Sequence, residues 1–186
     1  MWTPRYAHLK PNITFLCDRK CPNCNRATEV CPSSNKDNLS AGQFQEMLEE
    51  CGRDGKIWTR ITLTGGEPTF HPEFNRFVDI MAEYKKKYAP GCVISTYTYH
   101  HPHLFHKIEK AVSDHPDLVV KDTEKLEPED HKYAMYLAPR DDAKRFGPDH
   151  FYVGCNLGHL CGLGYDDAGF YYCSVVPGIA RVFGLK

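Results

Sequence analysis

Neither sign of charge is in surplus in this chain. Its 186 residues carry 23 lysines and arginines against 24 aspartates and glutamates, a formal net charge of -1. Binding to nucleic acid or to a membrane surface draws on an excess of basic side chains, so this balance argues against both. Small-molecule and peptide substrates stay open. Long apolar runs are missing too: no stretch approaches the ~18 residues of a membrane span. The opening MWTPRYAHLKPNITF has no apolar signal core and no small-residue cleavage site, so the cytoplasm is the expected compartment. Internal repeats and low-complexity tracts are also lacking. The length suits one domain, with room for a small appendage, and a chain of this size hides roughly 70% of its unfolded surface.

Cysteine, by contrast, is abundant. There are nine. In a reducing compartment that number points to metal ligands or redox centres rather than disulfides. Four lie within 17–31 and three within 155–173, while Cys51 and Cys92 stand alone.

The hydrophobic pattern alternates strand and helix. NITFLC (12–17) reads as a short buried strand delivering Cys17 at its end, and a loop follows over 18–39. LSAGQFQEMLEECG reads as a helix. Ser40 is its N-cap, Phe44, Met47, Leu48 and Cys51 form its stripe, and Gly52 is its stop. WTRITLTGG (58–66) is the second strand. HPEFNRFVDIMAEYKKKY is the second helix, with Pro72 near its first position and Phe74, Phe77, Val78 and Met81 on one face. CVISTYT (92–98) is the third strand. PHLFHKIEKAVSD is the third helix, striped by Leu104, Phe105, Ile108 and Val112. DLVVKDT (117–123) is the fourth strand. Such alternation implies parallel strands joined by crossover helices, hence an α/β barrel, part-barrel or open sheet. KYAMYL and HFYVGC suggest two further strands.

Two motifs carry chemistry, and both sit where parallel α/β folds build their sites, at the C-terminal ends of strands. The first strand is followed by Cys17, Cys21 and Cys24, spaced C-x3-C-x2-C. Three thiolates are one short of a closed tetrahedral metal site. The second strand is followed by Gly65, Gly66, Glu67 and Pro68. Paired glycines let backbone approach a ligand closely, Glu67 sets a carboxylate beside it, and Pro68 stiffens the exit. One alternative closes a four-thiolate zinc site with Cys31 and makes the protein a zinc-stabilised interaction module without catalysis. Another is a ferredoxin-like carrier, whose cysteine spacings do not fit.

Together the two motifs resemble those of the radical SAM superfamily over about residues 10–123. That resemblance implies a partial (β/α) barrel over residues 1–150. It implies that Cys17, Cys21 and Cys24 hold three irons of a 4Fe–4S cluster and that S-adenosylmethionine (SAM) chelates the fourth. Gly65, Gly66 and Glu67 shape the SAM pocket. Thr96, in STYT at the end of the third strand, and Asp122, beside Lys121 in the fourth, are the remaining candidate SAM contacts. Asn23 stands where the family usually has an aromatic residue. The activity implied is reductive cleavage of SAM to a 5′-deoxyadenosyl radical, which takes hydrogen from a peptide or small-molecule substrate. A flavodoxin or ferredoxin supplies the electron. A short enzyme of the 7-deazaguanine-forming type is an alternative within the superfamily.

CNLGHLCGLGYDDAGFYYC, near the C-terminus, resembles the SPASM or twitch extensions of radical SAM enzymes. Cys155, Cys161 and Cys173 frame a hairpin whose turn is Asp/Gly-rich. The resemblance implies a Cys-rich β-hairpin extension over 151–186 holding a second, auxiliary cluster. Its fourth position is open to substrate, to His159 or to Cys31. A zinc knuckle and free structural thiols are the alternatives. The histidine-dense YHHPHLFH (99–106) opens a helix and reads as loop and cap. Tyr6, Tyr97, Tyr99 and Tyr133 are candidates to line a substrate pocket.

Overall fold

The computed structural model describes residues 7–21, 24–31, 33–123 and 162–185. Six strands form one sheet: β1 (His8–Thr14), β2 (Arg60–Gly65), β3 (Val93–Thr98), β4 (Val119–Asp122), β5 (Leu163–Asp166) and β6 (Gly169–Tyr171). Their order is β4-β3-β2-β1-β5-β6, parallel throughout except for the antiparallel β5–β6 hairpin. The expectation of alternating strands and helices holds through β4. The described residues form a mixed α/β sheet that is not closed, with β4 and β6 at its two ends.

The helices are α1 (Ala41–Arg53), α2 (Phe74–Tyr88), α3 (Phe105–Asp114) and α4 (Val176–Val182). The Ser40 side chain caps α1 by accepting from the Gln43 amide at 3.1 Å. Gly52 does not stop this helix. It lies inside it, where the Tyr88 ring of α2 packs so close that a Cβ would stand 2.5 Å from ring carbons. The left-handed Gly55 just beyond the C-cap Asp54 turns the chain instead. Pro72 precedes α2 by two residues. On α3 only Ile108 and Ala111 are buried, while Phe105 and Val112 of the expected stripe are exposed.

Period-two alternation sorts the sheet into two faces. Leu9, Ile13, Ile61, Leu63 and Ile94 join Phe44, Leu48, Phe77, Met81 and Ile108 in one apolar core, so α1, α2 and α3 cover that face. Lys10, Asn12, Thr62, Thr64, Ser95, Tyr97 and Lys121 alternate onto the other, polar face.

Two differences from expectation have local causes. β1 begins at His8 rather than Asn12, because Pro11 is held inside the strand with its carbonyl accepting from the Thr64 hydroxyl at 3.0 Å. β1 also ends at Thr14, three residues before Cys17, after a register irregularity between Asn12 and Thr14. The C-terminal hairpin adds to the main sheet: β5 runs parallel to β1, with Leu9 level with Leu163 and Pro11 level with Tyr165. Gln43 on α1 donates to the Asp167 carbonyl in the hairpin turn at 2.9 Å. KYAMYL, HFYVGC, Tyr6, Tyr133, Cys155, His159 and Cys161 lie outside the described residues.

Candidate functional site

The ends of β1 and β2 are stitched together by backbone. The Gly66 amide donates to the Thr14 carbonyl at 2.9 Å, and the Glu67 amide donates to the Leu16 carbonyl at 2.8 Å. This pairing needs both glycines. A Cβ on Gly65, whose φ is +143°, would stand 2.0 Å from the Thr14 oxygen, and one on Gly66 would stand 2.2 Å from the Leu16 oxygen. Leu16 is the residue before Cys17. The glycine pair therefore lets the β2 exit lie directly against the chain that presents the first cysteine.

Cys17 and Cys24 are half-buried and Cys21 is buried. The Arg19 amide donates to the Cys17 sulfur at 3.5 Å, and Cys24 shares a contact of 3.6 Å with the Thr28 hydroxyl. Short turns fold the loop: the Cys24 amide donates to the Cys21 carbonyl, and the Ala27 amide to the Cys24 carbonyl. Ala27 is left-handed, at φ 53°. From the other side α4 presses on this loop. A Cβ on Gly178 would stand 2.9 Å from the Asn25 carbonyl oxygen, Arg181 donates to the Cys31 carbonyl at 3.2 Å, and its guanidinium lies 4.2 Å from the centre of the Phe15 ring.

One cleft gathers these parts. Cys17, Cys21, Cys24, Gly65, Gly66 and Pro68 line its cysteine end. Lys10, Thr64, Tyr97 and Thr123 continue it onto the polar face of the sheet, and Ser174 and Val175 close it from the segment after Cys173. Of the expected site residues, the structure thus brings together the three N-terminal cysteines and the two glycines. Cys173 is half-buried, one residue before this wall.

Glu67, Thr96 and Asp122 are placed elsewhere. Glu67 is turned into the protein and buried to 2% exposure. One carboxylate oxygen accepts from the Thr69 amide at 3.3 Å, the Thr69 hydroxyl at 2.8 Å and the Thr98 hydroxyl at 2.8 Å; the other accepts from the Tyr99 amide at 3.1 Å. Burial raises its pKa, and these donors pull against that rise. Glu67 thereby ties the end of β2 to the end of β3. Thr96 is buried in the sheet and donates to the Tyr97 carbonyl, while Tyr97, the next residue, reaches the cleft. Asp122 is exposed and faces His100 at 3.6 Å. The Tyr99 hydroxyl donates to Asp18, which also stands 3.4 Å from His101. Cys51 and Cys92 sit in the core, and burial pushes both thiols up, Cys92 to about 11. Such thiols are inert packing groups.

Lys10, Arg19, Arg26 and Thr64 line the cleft but were not singled out in the sequence. The signal for Lys10 and Thr64 is period-two alternation: HLKPNIT and RITLTG each put every second polar residue on one face. Nothing comparable marks Arg19 and Arg26, which lie in a loop.

The donor set fits a group taking three thiolates and one outside ligand. Among the described residues the cleft carries three cysteines and no fourth, and no three His, Cys, Asp or Glu side chains converge closely enough to share one metal ion.

Comparison with known proteins agrees with this chemistry. The family described as a 4Fe-4S single cluster domain matches residues 14–134. No curated protein matches. Among solved structures, the chain is similar to the crystal structure of BtrN in complex with AdoMet and 2-DOIA. The TM-score is 0.52 at 11% identity, covering 91% of this chain and 74% of that one, which shows a shared fold. A crystal structure of selenomethionine BtrN in an open conformation gives a TM-score of 0.41 at 16% identity, over 63% of this chain and 56% of that one.

Proposed function

The chain belongs to the 4Fe-4S single cluster domain family, and on that premise we propose that it is a radical SAM enzyme. It reductively cleaves SAM and uses the 5′-deoxyadenosyl radical to take a hydrogen atom from a peptide or small-molecule substrate. The observation that carries this reading is the convergence of Cys17, Cys21, Cys24, Gly65 and Gly66 on one cleft. When bound, a 4Fe–4S cluster supplies the electron that breaks the sulfonium carbon–sulfur bond and releases methionine. The protein's part is to hold and to exclude. The three cysteines bind the cluster and leave one iron to SAM. Gly65 and Gly66 line the cleft beside them, and their missing Cβ atoms let that backbone close against the end of β1, which holds the wall for the methionyl end of SAM. Glu67 fixes the geometry of that backbone from behind. The shared fold with BtrN, crystallised with AdoMet, supports SAM as the ligand.

The finer parts of the reading are residues 151–186 as a twitch-like element and a second cluster at Cys155, Cys161 and Cys173. Ser174 and Val175 line the catalytic cleft, which supports a role for this element beside the substrate. A flavodoxin or ferredoxin is the reductant. The test needs no substrate. Anaerobically reconstituted protein given SAM and dithionite is expected to release 5′-deoxyadenosine and methionine in equal amounts. Iron-loaded protein that neither binds SAM nor releases these products would overturn the reading.

A further inference from the structure

The exits of three strands meet around Asp18, the residue after Cys17. Tyr99 and His101 come from the exit of β3. The Tyr99 hydroxyl donates to one Asp18 carboxylate oxygen, and Nε2 of His101 stands 3.4 Å from the other. The exit of β2 supplies Phe70, whose ring packs edge-on to His101 with 5.1 Å between centroids. The turn between the two aromatic side chains lets both reach one carboxylate. His100 there is left-handed, at φ 57°, and its amide donates to the Thr98 hydroxyl at 2.9 Å. The Tyr99 amide also donates to Glu67, at 3.1 Å. One residue thus holds the cysteine loop by its side chain and the carboxylate behind the glycine pair by its backbone.

Tyr99 is 8% exposed, whereas 49% of the Asp18 side chain is open to solvent. A carboxylate pinned to a buried hydroxyl keeps one place, and the bond is charge-assisted. The Arg19 guanidinium lies 4.3 Å from the centre of the Tyr99 ring, while the Arg19 amide donates to the Cys17 sulfur at 3.5 Å. Burial first, then the bond to Asp18 and its charge, then the charge of Cys17, push the Tyr99 phenol up, so it keeps its proton and stays a donor. Cys17 therefore acts on the same hydroxyl that Asp18 accepts from. Net charge and hydrogen bonding around the sulfurs set the reduction potential of an iron–sulfur cluster. A negative charge one residue from a ligating thiolate makes the cluster harder to reduce and, once reduced, a stronger electron donor.

We propose that Asp18 is a fixed charge that lowers the reduction potential of the cluster held by Cys17, Cys21 and Cys24, and that Tyr99 is the positioning residue that fixes it. The two act in opposite senses. Asp18 supplies the negative charge, and the phenol draws part of that charge onto its own proton. A low potential suits a site that has to break a sulfonium carbon–sulfur bond. The inference deepens the radical SAM reading by naming what tunes its electron, and it rests on that reading for the cluster's task. The potential itself is measurable without SAM and without substrate.

The experiment is a redox titration of the reconstituted full-length protein, followed by the electron paramagnetic resonance signal that disappears when Cys17, Cys21 and Cys24 are all changed to alanine. Asp18→Asn is expected to raise the midpoint potential. Tyr99→Phe is expected to lower it, because the carboxylate then keeps its full charge. The Asp18→Asn/Tyr99→Phe double variant should match Asp18→Asn, since no charge is left for the phenol to draw on. Tyr84→Phe is the control: Tyr84 is a 3% exposed tyrosine on α2 whose hydroxyl accepts from the Trp58 amide at 3.0 Å. Its loss should lower the melting temperature and leave the potential unmoved. Iron content and circular dichroism report whether each variant folds. Should Tyr99→Phe fail to load iron, the half-exposed Asp18→Asn decides alone. A parent potential in folded Asp18→Asn overturns the proposal. So do shifts of the same sign in Asp18→Asn and Tyr99→Phe, or a shift in Tyr84→Phe as large as in Tyr99→Phe. If the shifts are as expected but the parent releases no 5′-deoxyadenosine from SAM, the radical SAM reading falls and the tuning pair stands.

Discussion

A Gly66→Ala variant is expected to lose most of its iron and to melt well below the parent. The added Cβ would stand 2.2 Å from the Leu16 oxygen, 2.8 Å from the Leu16 carbonyl carbon and 2.9 Å from the Phe15 oxygen. All three atoms are backbone, so no side chain can rotate out of the way. Either residues 15–17 or residues 65–67 must shift. A shift breaks the pairing of Gly66 with Thr14 and of Glu67 with Leu16. Two lost backbone hydrogen bonds at about 1 kcal/mol each, with the strain of displacement, give about 3–4 kcal/mol of destabilisation. Cys17 moves with Leu16, so the thiolate geometry goes as well. Gly42→Ala is the matched control. Gly42 lies inside α1 with nothing within 4 Å of its Cβ position, and alanine there should stabilise by about 0.5–1 kcal/mol. Iron per chain and thermal unfolding, measured on both variants, check the argument. A Gly66→Ala protein with full iron and the parent's melting temperature would refute the described contact.

Glu67→Ala is expected to cost about 3–5 kcal/mol and to weaken SAM binding through displaced backbone. The substitution strands donors from Thr69, Thr98 and Tyr99 at a site with 2% exposure. Removing the acceptor from a buried hydrogen-bond network is far costlier than the network's net worth, because the donors left behind stay desolvated. Glu67→Gln keeps the shape and one acceptor oxygen but turns an NH2 toward donors. It should fall between parent and alanine, at about 1–3 kcal/mol. Urea unfolding under anaerobic conditions measures both. A direct contact with SAM would instead leave stability near that of the parent while SAM affinity drops. The account expects stability and affinity to fall together.

Much of this was legible in the sequence because the relevant signals are local. The alternation of four strands with three helices follows from β-branched runs and 3.6-residue stripes, and Ser40 capped its helix as a serine before an apolar stripe should. The cysteine spacing and the Gly65–Gly66 pair marked the two strand exits that the structure brings to one cleft. What was hidden depends on partners distant in the chain. Pro11 argues against a strand on its own, since it lacks an N–H, yet Thr64 across the sheet holds its carbonyl. Nothing in YDDAGFYY says that the hairpin will dock beside β1. Glu67 looks like a ligand-facing carboxylate until Thr98 and Tyr99, 31 and 32 residues later, are seen to donate to it. Thr96 and Tyr97, both candidates in the sequence, are neighbours on β3 that face opposite ways, and it is Tyr97 that reaches the cleft. The stripe expected on α3 failed at Phe105 and Val112 because periodicity locates an apolar face without showing how much of it the next element covers.

The most direct measurement is iron, sulfide and zinc per chain after anaerobic reconstitution, on the parent and on a variant carrying Cys17→Ala, Cys21→Ala and Cys24→Ala. The account predicts that the variant loses about four irons with matching sulfide relative to the parent. About four irons remaining in it would belong to the second cluster at Cys155, Cys161 and Cys173. Zinc without iron in both proteins, or iron unchanged by the three substitutions, would contradict the account.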